Sequence, residues 1–177
     1  AGLELYRGLL KQNRSAGFVA TGQIGITVTG AGIPLDAFKV DYATGAVETA
    51  VLEQADKDYI VIEGQGSLLN PSSTATLPLM RGSCPTHLIL CMRGDKTTLR
   101  SNTQINIPNL KEFIQLNESL ASVCGTYPEA KVIGIAVNTS MLSEAEAVVV
   151  KKRISEESGV SAYDPVRDGV HGFIERL

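Results

Sequence analysis

Apolar positions along this chain follow two rhythms, short unbroken runs and stretches spaced three or four residues apart, and their alternation predicts the elements. Leu3, Tyr6, Leu9 and Leu10 fall on one stripe of a first helix over 1–12, which has no capping residue in front of it. Ala16-Gly17-Phe18-Val19-Ala20 reads as a short strand, followed by Thr21-Gly22-Gln23-Ile24-Gly25, where the chain opens into a glycine loop. The threonines and glycines of 26–34 predict a mobile loop. Over 41–54, Tyr42, Val47, Val51 and Leu52 fit helical spacing imperfectly, with Asp41 placed to cap the start. Ile60-Val61-Ile62 has no polar residue within it, so both faces of that strand are expected to be covered, as in a parallel sheet.

The second half repeats the pattern. A short helix over 75–81 leads to a strand over 86–92, and 109–123 predicts an amphipathic helix with Leu110, Phe113, Ile114, Leu116, Leu120 and Val123 inward. A strand over 131–137 precedes a helix that starts at the capping box Ser143-Glu144-Ala145-Glu146 and stops at Gly159. A last strand over 160–163 and a helix over 170–177 finish the chain. The polar segment 97–106 has no clear period. Strand and helix alternate throughout, which predicts an α/β fold with a doubly wound, mainly parallel sheet. With 177 residues, 44% of them hydrophobic, the chain is expected to form one domain, 1–177.

Charge narrows the function classes. A net charge of -3 with both signs interspersed offers no footprint for nucleic acid or an anionic membrane. Cys84, Cys91 and Cys124 are odd in number and lack Cys-x-x-Cys spacing, which argues against a disulfide framework and a structural zinc site. No apolar run is long enough to span a bilayer and no signal architecture opens the chain, so a cytoplasmic location is expected.

Ligands of parallel α/β sheets gather beyond the carboxyl ends of the strands. Four such ends are expected to form one rim: Thr21-Gly22-Gln23, Glu63-Gly64-Gln65-Gly66, Met92-Arg93-Gly94-Asp95 and Val137-Asn138-Thr139. Gly64 and Gly66 allow positive φ and close backbone approach after Glu63. Magnesium takes one or two carboxylates plus waters and substrate phosphates, which Glu63 with Asp36 or Asp41 can supply. Simpler readings stand beside these: Glu63 capping the amides of its own turn, Asp41 capping a helix, and Asn138 building an Asn-Thr-Ser turn. Arg93, Lys96 and Arg100 are either phosphate contacts or a solvated loop. His87 and His171 have no ligand partner at metal spacing and read as structural or surface residues. Cys91 reads as core, and Gly-Gln-Gly-Ser ending at Ser67 does not match a nucleophile elbow.

The run Ile60-Val61-Ile62-Glu63-Gly64-Gln65-Gly66-Ser67-Leu68-Leu69 resembles the hydrophobic-Glu-Gly-Ala-Gly-Gly segment of dethiobiotin synthetase-like P-loop NTPases. Taken with Phe18-Val19-Ala20-Thr21-Gly22-Gln23-Ile24-Gly25 and Gly45-Ala46-Val47-Glu48, it is similar to the carboxy-terminal domain of a bacterial domain-of-unknown-function family. Some members of that family are known as D-glutamate N-acetyltransferases, and the likeness covers most of the chain. It implies a three-layer, P-loop NTPase-like fold. It also implies that Glu63 helps hold magnesium, that Thr21, Gly22 and Gln23 face the substrate or γ-phosphate, that Gly64, Gln65 and Gly66 border the bound cofactor, and that Asn138 and Pro165 flank adenine.

One departure qualifies the likeness. The family's domain opens with a strand and a G-x-x-x-x-G-K-[ST] loop that holds β- and γ-phosphates, and this sequence contains no such loop. Its first helix matches the one that follows the loop, so the domain is expected to be truncated just before Ala1. Two enzyme readings follow from the resemblance. One is an ATP- and magnesium-dependent, ligase- or kinase-like domain acting on a small amino-acid-type metabolite. The other is an N-acetyltransferase that uses acetyl-CoA on D-glutamate or a similar D-amino acid. A non-catalytic scaffold or regulatory domain is the third reading, and a homo-oligomer is expected.

Overall fold

The structure is a computed structural model, and it describes residues 1–99 and 102–177. The chain divides into two compact units, Gly2–Cys84 and Pro85–Leu177. Each is a parallel α/β arrangement.

In the first unit α1 (Gly2–Lys11) buries Leu5 and Leu9, while Leu10 is exposed, so the buried stripe is turned away from the one its spacing predicts. Tyr6 instead meets Phe18 of β1 (Ala16–Val19), ring centroids 5.5 Å apart. β1 pairs in parallel with β2 (Tyr59–Ile62), Ala16 opposite Tyr59 and Val19 opposite Ile62. The outer side of β1 is covered by Gln54, whose Nε2 donates to Phe18 O at 3.1 Å. β2 is only half-buried along its length, against the expectation of two covered faces, and β1 is its one hydrogen-bonded neighbour among the described residues.

The expected loop over 26–34 is helical in its first part, and only 30–34 lacks regular structure. Gln23–Thr29 is a helix, α2, in which Thr27 and Thr29 hydroxyls donate to the carbonyls of Gln23 and Gly25, and Gly30 ends it in a left-handed cap. Local side-chain bonds thus overcome the poor helix propensity of threonine and glycine. After a 3-10 turn at Leu35–Ala37 comes α3 (Val40–Leu52), then α4 (Thr76–Ser83). Val47 of α3 is fully buried in a core with Val19, Ile33, Leu35, Ala43 and Leu79, worth about 1.5–3 kcal/mol for a side chain of this kind. Asp41 does not cap α3. Lys39 holds that position without a side-chain bond, and Asp41 lies within the first turn, where its charge favours the helix N-terminus.

The second unit is a three-stranded parallel sheet in the order β3 (His87–Arg93), β4 (Lys131–Asn138), β5 (Ala162–Tyr163). The strand buried along its length is β4, from Val132 to Val137, and not β2. α5 (Leu110–Ser122) is started by Asn109, whose side chain accepts from Glu112 N at 3.2 Å. Leu110, Phe113 and Ile114 are buried as expected, but Leu116 points outward. Its place on the buried face is taken by Asn117, whose amide donates to Phe113 O at 2.7 Å and so is not left unsatisfied. α6 (Glu144–Ser158) carries the predicted capping box and ends at Gly159. α7 (His171–Ile174) is short and places Phe173 edge-on against Tyr163, centroids 5.0 Å apart. In the polar segment Thr98 bridges Asn106 in antiparallel fashion.

Candidate functional site

The first unit assembles a site around Glu63, the residue that follows β2. Its amide donates to Val19 O at 2.9 Å, so the ladder with β1 carries it to the strand ends. There its Oε2 accepts from the backbone N–H of Thr21 and of Gly22, both at 3.0 Å, and its carbonyl accepts from Thr21 Oγ1 at 2.8 Å. Thr21 is fully buried by this exchange. The carboxylate therefore sits at the start of α2, where Gly22 is the N-cap without a side-chain bond of its own, and satisfies amides the helix leaves open. The carboxylate caps amides, but those that follow β1 and not those of its own turn, where the simpler reading put them. Among the described residues no donor reaches Oε1, so one carboxylate oxygen remains to accept a proton or coordinate a cation.

Glycines make room for this arrangement. A Cβ on Gly25 would stand 2.2 Å from Glu63 Oε2, and one on Gly22 would stand 3.0 Å from Gln65 Oε1. Neither Gly25 nor its purpose emerges from the sequence pattern, where it reads as one more loop glycine. Of the two glycines after Glu63, Gly66 has a positive φ of 76° and lies against Ser73 Oγ, which accepts from Ser67 N at 3.1 Å. A Cβ on Gly64 would meet nothing within 4 Å, and its φ is not positive, so only one of the pair behaves as expected.

Gln23 is exposed at the first position of α2, and its Nε2 donates to Asp36 Oδ2 at 3.4 Å. Asp36 is thus tied to the segment that Glu63 caps. Among the described residues Asp41 makes no hydrogen bond or ion pair to any of these, and no group of three His, Cys, Asp or Glu side chains could hold a metal ion on its own. Glu63 Oε1 suits the sparser set of a magnesium ion carried by a phosphate ligand, which takes few protein carboxylates.

In the second unit Asn138, the last residue of β4, is exposed, and its Oδ1 accepts from Ser140 N at 3.0 Å, the turn-building role. The next residue, Thr139, is fully buried and donates both its N–H, at 3.0 Å, and its hydroxyl to Asp164 Oδ2. Asp164 Oδ1 accepts from Val166 N at 2.9 Å and Arg167 N at 3.3 Å, shaping the loop that contains Pro165. Burial opposes the charge of Asp164, yet the bonds from Thr139, Val166 and Arg167 prevail and hold its carboxyl below the usual range. The resemblance places Asp164-Pro165-Val166 in a base-flanking loop and singles out Pro165, whereas Asp164 is the residue of that loop with side-chain partners.

The basic candidates are committed elsewhere. Arg93 forms a two-pronged pair with Asp95, both contacts 2.9 Å, which holds the Asp95 carboxyl down to about 2. Lys96 stands 3.5 Å from the same carboxylate, and Arg100 lies outside the described residues. Cys91 is exposed, against its reading as core. His87 and His171 are exposed, the first beside Thr86 Oγ1 and the second 3.0 Å from Glu175.

These strand-end residues fall within a family profile described as "Domain of unknown function (DUF1611_C) P-loop domain", which matches residues 1–174. The chain belongs to this family. A crystal structure of a DUF1611 family protein from Anabaena variabilis is 42% identical, with a TM-score of 0.95, covering 98% of this chain and 51% of that one. Two relatives carry the name D-glutamate N-acetyltransferase. The one from Pseudoalteromonas is 35% identical over 99% of this chain and 52% of its own length. The one from Tritonibacter scottomollicae is 38% identical over 90% of this chain and 48% of its own. The chain therefore spans about half the length of the relatives it matches. Among the described residues no helix is long and apolar enough to cross a membrane.

Proposed function

We propose that this chain is the P-loop-type domain of an N-acetyltransferase that moves an acetyl group from acetyl-CoA to the amine of D-glutamate or a similar D-amino acid. The observation that carries this reading is the pair of relatives bearing that name at 35% and 38% identity over nearly all of this chain. In the transfer, the amine nitrogen forms a bond to the thioester carbonyl carbon, the carbon–sulfur bond breaks, and the thiolate of CoA takes up a proton. An ammonium ion must first lose a proton to become the nucleophile. Glu63 Oε1 is the acceptor we assign to that proton, because Oε2 is already held by Thr21 and Gly22 and fixes the carboxylate. Asp36, tied to Gln23, borders the same segment and supplies a second carboxylate for the amino group.

The family's P-loop description supports a second reading, in which the same strand ends bind a nucleotide with magnesium at Glu63 Oε1. The two readings separate in one experiment. The full-length protein is incubated with acetyl-CoA and D-glutamate, and N-acetyl-D-glutamate is followed by mass spectrometry, with L-glutamate and ATP as parallel arms. Product with acetyl-CoA alone supports acetyl transfer. Turnover that requires ATP supports the nucleotide reading, and product in no arm leaves the scaffold role as the surviving account.

A further inference from the structure

We propose that Asp164 is a positioning residue, acting through Thr139 to fix where the Asn138 turn stands relative to the loop after β5, and so where the free amide of Asn138 meets a ligand. The ligand's identity rests on the function proposed above, since adenine is common to CoA and ATP. The role of Asp164 rests on geometry alone.

Asp164 is 4% exposed and among the described residues faces no cation directly, an arrangement that costs free energy unless its oxygens are fully bonded. They are: Oδ2 takes the amide and hydroxyl of Thr139, and Oδ1 takes the amides of Val166 and Arg167. Asp164 N in turn donates to Asp168 Oδ2 at 2.8 Å, and Asp168 is paired with Lys151. Arg167 closes the circuit from the other side, its guanidinium donating to Thr139 O at 3.2 Å and Leu142 O at 2.7 Å. A simple Asn-Thr-Ser turn needs none of this, because the bond from Ser140 N to Asn138 Oδ1 already closes it. The added bonds set where the turn stands relative to the loop after β5.

The consequence falls on Asn138. Its Oδ1 is occupied by Ser140 N, while among the described residues Nδ2 has no protein partner. The side chain therefore offers donors, and the group it reads must carry an acceptor, such as a ring nitrogen of a nucleobase. The first unit uses the same device. Thr21, also fully buried, gives its amide to Glu63 just past the neighbouring parallel strand. A threonine at one strand end clamped by a carboxylate from the next occurs in both units, at the ends where ligands of such sheets collect.

Hydrogen exchange on the full-length protein tests this. In Thr139→Val, which keeps the shape and removes the hydroxyl, and in Asp164→Asn, exchange over 137–142 should quicken by about tenfold, the effect of losing one bond to a charged group. Thr139→Ser, which keeps the hydroxyl, should stay near wild type. A packing role predicts the reverse order, Val tolerated and Ser loosened, and that order, or unchanged exchange in all three, would overturn the proposal. Affinity for coenzyme A by calorimetry should follow the same ranking, with Thr139→Ser rescuing what Thr139→Val loses. Binding of neither coenzyme A nor ATP by wild type would count against the proposed function, while the exchange ranking would still decide the role of Asp164.

Discussion

Glu63 is placed by three separate causes. Its backbone is set by the ladder to β1, one carboxylate oxygen by two amides, and the space it occupies by the missing side chain of Gly25. Thermal unfolding should therefore show Glu63→Gln destabilised by about 1–3 kcal/mol, the cost of weakening charge-assisted bonds to part-buried amides. Gly25→Ala should also destabilise although alanine favours helices, because the new methyl collides with the carboxylate. Gly64→Ala, with nothing within 4 Å, is the control and should melt as wild type. Asp164 and Asp95 make a second prediction, in acid. Both carboxyls titrate below their ordinary 3.8 in the folded protein, so the stability they add is fully present above that pH. It is lost as pH falls below 3.8, for Asp95 down through about 2. Melting temperatures recorded from pH 6 to pH 2 should decline in that window, and Asp164→Asn should flatten part of the decline.

Elements were legible where one local signal governs them. Ser143 and Glu146 announce α6 and build a complete capping box, so Ser143→Ala should cost about 1 kcal/mol in a denaturant titration, with the midpoint shifted and the slope unchanged. α2 was hidden because its helix depends on threonine back-bonds and on a carboxylate 38 residues after Gly25, neither of which leaves a periodic trace. Asp41 misled for a related reason. An acidic residue near a helix start is favoured at the cap and in the first turn alike, and spacing alone does not distinguish them. The outward Leu116 and inward Asn117 show the same limit on α5, since the satisfied amide of Asn117 depends on Phe113 O being within reach.

At the scale of the molecule the strand-and-helix order carried the parallel α/β architecture, and the run around Glu63 carried the family. The site was legible in part. Thr21, Gly22, Glu63 and Gln65 gather at the ends of β1 and β2, two of the four strand ends named for the rim, whereas Asp164 and Gly25 act through contacts that only three dimensions reveal. The account stands on Glu63 serving acetyl transfer through its free oxygen. Its most direct test is the initial rate of N-acetyl-D-glutamate formation from acetyl-CoA and D-glutamate, wild type against Glu63→Gln in the full-length protein, both verified as folded. The account predicts product from wild type and a rate lower by about 10- to 100-fold in the variant, the kinetic equivalent of losing one charged proton acceptor. Equal rates in the two proteins would contradict it.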